Sequence, residues 1–205
     1  LTHENQIQAE LRHTAAHGRS GEQLARDLGK DVVFYTARVP EHLPADLIPK
    51  ALCRLQPHKR VQETANNFLE QHSIDSSTVG LHLRKTDQYN LDEDWWYDYV
   101  QRKGAGRRYF VCSDDRDTES RFAALKNVVT FPKTHYVEKL VEGPWRQDAV
   151  QDPDGRVFPN NINRTRESVI QAWIDLLILS ETYILPTVKS SFSQVAHWLK
   201  QSRSA

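Results

Sequence analysis

The stretch Thr78-Val-Gly-Leu-His-Leu-Arg-Lys-Thr-Asp87 constrains the fold of this chain more than any other. Apolar side chains at Val79, Leu81 and Leu83 recur every second residue, the repeat of a strand with a buried face, and the run stops abruptly in polar residues. That repeat places Leu81 and Leu83 on one face and His82 and Arg84 on the other, so two nitrogen-bearing side chains point the same way near the carboxyl end. In an open α/β sheet, ligands bind at that edge. Arg84, Lys85 and Asp87 also read as solvated charges in a turn, the ordinary fate of charged residues.

The rest of the pattern says what kind of sheet the strand belongs to. A helix over Lys59 to Gln71, with Val61, Ala65, Phe68 and Leu69 on one face, leads into it. After it, Leu91 to Lys103 reads as a helix that packs Trp95, Trp96, Tyr99 and Val100 against the sheet and stops at Gly104 and Gly106. Tyr109-Phe-Val-Cys112 is a buried strand ending in Ser113-Asp114-Asp115; Asp117 to Leu125 is a helix, and Val128 to Phe131 a third strand. Strands separated by helices of this length predict a parallel sheet, an α/β Rossmann-like fold flanked by helices.

Two regions lie outside this alternation. Residues 1–54 read as a helical and irregular lead-in: Ile7, Leu11 and Ala15 suggest one helix, Glu22 to Leu28 a second, Val32 to Tyr35 a short strand, and Pro40, Pro44 and Pro49 interrupt the remainder. Residues 55–205 are then the main domain. Within it, periodicity lapses over 132–165, where Pro144, Pro153, Gly155, Pro159 and Asn160-Asn161 mark turns and only Leu140 and Trp145 offer apolar anchors. A loop of that length is usually functional or mobile. Asp152-Pro153-Asp154, followed by Gly155, has turn chemistry, although an Asp-x-Asp can also hold a divalent ion in a metal-dependent transferase.

Ser168 to Ser180 is apolar almost all the way round and predicts a helix inside the molecule. Asp175 is the exception within it, and a buried carboxylate needs a hydrogen-bond donor from the protein or from a ligand. Tyr183 to Pro186 reads as a last strand, and Lys189-Ser-Ser-Phe-Ser-Gln-Val-Ala196 as the start of a last helix. Helix-capping alone accounts for Ser190, Ser191 or Ser193. A strand, a hydroxyl-rich turn and a helix N-terminus also make an anion site.

His82-Leu-Arg-Lys-Thr-Asp87 resembles the His-x-Arg-Arg-Thr-Asp signature of the fucosyltransferase superfamily that holds the α1,6-, nodulation and protein O-fucosyltransferases, with Lys85 in place of a second arginine. Lysine keeps the charge and loses the two-pronged donor. The acidic pair after the second strand and the run from Asp175 to Ala196 resemble the same family in order and spacing, so the likeness covers roughly residues 55 to 200. It implies the C-terminal, donor-binding half of a GT-B glycosyltransferase that takes a GDP-sugar, GDP-fucose first, and transfers the sugar to an acceptor hydroxyl with inversion and without a metal or other cofactor. By the resemblance, Arg84 holds the β-phosphate and stabilises GDP as it leaves, and His82 lies against the nucleotide. Asp175 accepts from guanine, Ser190, Ser191, Phe192 and Ser193 line the phosphates and base, and Ser113, Asp114 and Asp115 border the nucleoside. Lys85 and Asp87 join the binding set, and the acceptor is a glycan or protein hydroxyl.

The residues before Thr78 lack that family's N-terminal motifs. The chain is therefore expected to be part of a longer transferase, as its start at Leu1 and lack of methionine also suggest, or a domain of the same fold that binds a nucleotide-sugar or a partner without catalysing transfer. No general base stands out; His135, Glu142 and Asp148 qualify only by lying in the long loop. Composition narrows the rest. The 27 basic residues balance the 27 acidic ones, so no global field invites nucleic acid or an anionic membrane. No apolar run is long enough to span a bilayer. Cys53 and Cys112 lie far apart without a ligand-spaced partner, which predicts free thiols, no metal and a reducing, cytoplasmic compartment. A secretory-pathway lumen stays open if upstream sequence carries a signal or anchor, and the Asn163-Arg164-Thr165 glycosylation triplet is too short to decide.

Overall fold

In the computed structural model of the chain, residues 52, 56–86, 92–103, 106–145, 150–151, 154–155, 157–158, 161–185 and 190–203 are described. All lie in the compact unit Pro44–Ala205. The expected elements of the first fifty residues, Cys53, Asp87, Asp148 and the Asp152-Pro153 turn fall outside them.

Helix α1 (Lys59–Gln71) precedes strand β1 (Val79–Leu83); α2 (Glu93–Asp98) runs into a π-helical turn, Tyr99–Lys103; β2 (Tyr109–Ser113), α3 (Arg116–Ala123) and β3 (Val128–Val129) follow. After β4 (Val150–Gln151) and β5 (Val157–Phe158) come α4 (Arg166–Glu181), β6 (Tyr183–Ile184) and α5 (Ser191–Arg203). The main sheet has the order β3-β2-β1-β6 and all its pairings are parallel. This is an α/β fold with a four-stranded parallel sheet flanked by helices, Rossmann-like, as the alternation of elements predicts.

Both sheet faces are covered, which is why β1 and β2 are buried along their whole length. On one face Val79, Leu81, Leu83, Tyr109 and Val111 meet Val100 and Phe122 of the π-helical turn and α3. On the other, Phe110 and Cys112 meet Ala65 and Phe68 of α1, Ala196 and Leu199 of α5, and the apolar run of α4. His82 shares this second face, so its side chain comes out between the sheet and the α4–α5 layer. Gly80 lets α4 come this close. A Cβ there would collide with Thr182 Oγ1 and sit 2.7 Å from Leu179 Cδ1.

Three expectations are corrected. The helix after β1 is not one continuous α-helix, since its last turn widens to the π form at Tyr99–Lys103. Trp95 does not pack on the sheet: it is 54% exposed and stacks on Tyr99, while Trp96, Tyr99 and Val100 turn inward. The stretch 132–165 is not without secondary structure, because β4 and β5 pair antiparallel and Glu138 bridges Asn163. Asn161, fully buried, ties that stretch together: its side-chain oxygen accepts from the Leu140 and Val141 amides, and its Nδ2 donates to the Val141 and Pro144 carbonyls.

Candidate functional site

Because β2 and β3 lie on one side of β1 and β6 on the other, the chain's direction of travel reverses at β1. The crevice at the carboxyl ends of β1 and β6 is the position where open α/β sheets bind ligands. A cavity of about 440 Å³ opens there. Its lining comes from the ends of β1 and β2, the segment after β3, the inner face of α4 and the first turns of α5. Of the residues singled out in the sequence, His82, Arg84, Ser113, Asp114, Asp175, Ser191 and Phe192 meet in it.

The end of β1 is fastened to the start of α5. His82 Nδ1 lies 2.8 Å from Ser190 Oγ, and its ring stacks on Phe192 with centroids 4.4 Å apart. Burial, reinforced by the Lys133 and Arg84 charges, pushes the His82 pKa down to about 3, so the imidazole is neutral. Ser190 also caps α5, since its Oγ accepts from the Ser193 amide at 3.3 Å. Arg84 Nη1 lies 3.4 Å from Ser191 Oγ, so the guanidinium stands beside the N-terminal turn of that helix. Ser193 is buried without lining the cavity, and its hydroxyl has no hydrogen-bond partner among the described residues.

The acidic pair after β2 organises backbone. Asp114 accepts from the amides of Lys85 (2.7 Å) and Thr86 (3.4 Å) and from the Thr86 hydroxyl, fixing the turn that carries Arg84. Asp115 caps α3, accepting from the Thr118 amide at 2.9 Å, and lies outside the cavity lining. Ser113 Oγ donates to the Leu83 carbonyl at 2.7 Å. Lys85 points to Glu93, with Nζ 2.6 Å from Oε2, and is likewise outside the lining.

Asp175 has the donor its burial demands, and that donor is Lys133. Lys133 Nζ lies 2.5 Å from Asp175 Oδ2, 3.0 Å from Glu119 Oε1 and 2.6 Å from the Ser113 carbonyl, with its side chain only 4% exposed. Tyr136 completes the cluster, its OH donating to Glu119 Oε2 at 2.5 Å. Asp175 Oδ1 has no partner among the described residues, although the side chain is buried and lines the cavity. Burial pushes the Asp175 carboxyl up to about 7 against the pull of Lys133, and burial likewise raises Glu119. The Lys133 ammonium is strongly held in its charged form: burial opposes the charge, and the two carboxylates outweigh it.

Lys133, Glu119 and Tyr136 went unread in the sequence. A signal for Lys133 existed: it stands just past the third strand, as Arg84 and Asp114 stand past the first two. Glu119 offered none, because a helical glutamate is ordinarily exposed. Arg164 and His135 also line the cavity, and both are exposed. Of the loop residues considered as bases, His135 lies in the lining and Glu142 beside a separate shallow depression.

Chemically, the cavity lining combines a buried carboxylate, Asp175, with a guanidinium set at a helix N-terminus, between walls that include Val169, Trp173 and Leu176. Such a site suits a ligand with hydrogen-bond donors, a flat apolar body and an anionic group. Among the described residues no three His, Cys, Asp or Glu side chains are grouped to hold a metal ion, and no helix is long and apolar enough to cross a membrane. Comparison with protein-family models, with curated proteins and with solved structures finds no match to this chain.

Proposed function

We infer that the cavity binds a GDP-sugar, GDP-fucose in the first instance, and that the chain is the donor-binding domain of a fucosyltransferase-type glycosyltransferase of GT-B architecture. The observation that carries this reading is that Asp175, a buried carboxylate with one oxygen unpartnered among the described residues, lines the same cavity as Arg84 and Ser191. A buried anionic oxygen without a donor costs several kcal/mol unless a ligand supplies one, and guanine presents two N–H donors on one edge. Arg84 and the start of α5 then face the diphosphate. Departure of the sugar leaves negative charge on the β-phosphate, and a fixed guanidinium beside a helix N-terminus stabilises it without help from a metal.

In this arrangement His82, neutral and stacked on Phe192, sets the position of the α5 turn, and Asp114 sets that of Arg84. Titration of GDP into the 205-residue chain by calorimetry tests the reading. Binding is expected in the presence of EDTA, and Arg84→Ala should weaken it by about tenfold or more, the worth of a charge-assisted contact. Unchanged affinity in that variant would refute the assignment of Arg84.

A second reading, a binding module without transferase activity, is favoured by one observation. The two carboxylates lining the cavity are both engaged, Asp114 with the Lys85 and Thr86 amides and Asp175 with Lys133. With the remaining Asp175 oxygen assigned to the guanine edge, neither is left to act as a general base on the acceptor. Hydrolysis or transfer of GDP-fucose by the chain separates the two readings.

A further inference from the structure

We propose, on the strength of that reading, that Lys133 is a positioning residue: it commits its own protons inside the protein and thereby presents Asp175 to the ligand as an anionic acceptor. The donor count supports this. Three acceptors surround the ammonium, so none of its protons remains for a ligand. Glu119 is satisfied at both oxygens, Oε1 by Lys133 and the Ser113 amide and Oε2 by Tyr136. Among the described residues, Asp175 is satisfied only at Oδ2. Two carboxylates thus share one ammonium, and among the described residues the cluster is short by one donor, at Asp175, the one of the two carboxylates that lines the cavity.

Either a proton or a ligand N–H can meet that deficit. Which of them does so depends on the charges around Asp175. Lys133 favours the anion, while burial and Glu119 oppose it. The other groups in the neighbourhood add little opposing charge: burial holds the Cys112 thiol protonated, His82 is neutral, and Tyr136 is a phenol whose ionisation burial suppresses. Asp114 is already tied to the β1 turn. Without Lys133, Asp175 keeps its proton to higher pH and offers the ligand an O–H donor where an acceptor is needed. Without the charge on Glu119, Asp175 is the one carboxylate left beside Lys133 in this cluster and its anion persists into more acid solution.

The two substitutions therefore have opposite expected effects, which a merely structural role for the cluster does not produce. The test is a 13Cγ NMR titration of Asp175 in the ligand-free chain for wild type, Lys133→Met and Glu119→Gln, followed by GDP calorimetry across about pH 5.5 to 8.5. The Asp175 midpoint should rise in Lys133→Met and fall in Glu119→Gln. GDP affinity near neutral pH should drop about tenfold or more in the first and extend to lower pH in the second. Midpoints that stay put, or that move the same way in both variants, would overturn the proposal. Should Lys133→Met fail to fold, an unmoved or raised midpoint in Glu119→Gln overturns it alone. Failure of wild type to bind GDP would refute the functional reading, and the ligand-free titration would still decide the role of Lys133.

Discussion

His82 and Asp175 are both buried titratable groups beside Lys133, and burial drives them in opposite directions. The His82 pKa lies near 3 in the fold against an ordinary 6.5, so its contribution to stability is present above pH 6.5 and is lost as pH falls from there through about 3. Asp175 lies near 7 against an ordinary 3.8; its contribution is present below 3.8 and is lost as pH rises through about 7. Urea denaturation between about pH 3.5 and 8 should therefore show two limbs. His82→Gln should flatten the acid limb while keeping a polar partner for Ser190, and Asp175→Asn should flatten the limb toward neutrality. If the slopes are the same in both variants as in wild type, these two groups are not what couples stability to protons. At this scale the sequence was half legible. Asp175 was conspicuous as one carboxylate in an apolar helix. Its partner was not, since Lys133 lies 42 positions away in a stretch without periodicity, and only the parallel sheet brings the two together.

Among the elements, α4 matters most, because residues along its stretch from Ser168 to Leu176 line the cavity while its C-terminal end seats on β1 at Gly80. Gly80 permits that seating, and Thr182 Oγ1, the atom a Cβ would strike, is itself held to the Leu179 carbonyl at 2.7 Å. Gly80→Ala should cost about 1–3 kcal/mol as overpacking, read as a lower urea midpoint. A neutral result would mean that the α4 C-terminus adjusts freely. The start of α5 is a second such point. Ser190→Ala removes both the cap and the hydrogen bond to His82, and should cost about 1 kcal/mol for the cap and about 1 kcal/mol more for the hydrogen bond, again read from the urea midpoint. Helix existence and strand order were readable here because the apolar repeats of α1, β1 and β2 are unambiguous. The π-helical turn and the outward Trp95 were not, since a single added residue per turn rotates a helix face without altering the composition that periodicity reads.

For the whole molecule, the parallel order β3-β2-β1-β6 gathers residues from separate strands, helices and connections into one cavity at the reversal of the sheet. That convergence was legible in outline, because each polar residue singled out at the end of a strand lies, by the geometry of parallel sheets, on the same edge. The arrangement of the described residues between 132 and 165 was not, because it rests on long-range contacts such as those of the buried Asn161 side chain and the Glu138–Asn163 bridge rather than on any repeat. If the cavity is a nucleotide site, ligand and fold are linked: GDP at about a hundredfold its Kd should add about 2.7 kcal/mol to the unfolding free energy, seen as a raised Tm. Arg84→Ala should lose most of that increment with little change in the ligand-free Tm. The most direct measurement is a crystal structure of the chain soaked with GDP. The account predicts the guanine edge against Asp175 Oδ1 and the diphosphate between Arg84 and the first turn of α5; GDP bound elsewhere, or an empty cavity at millimolar GDP, would contradict it.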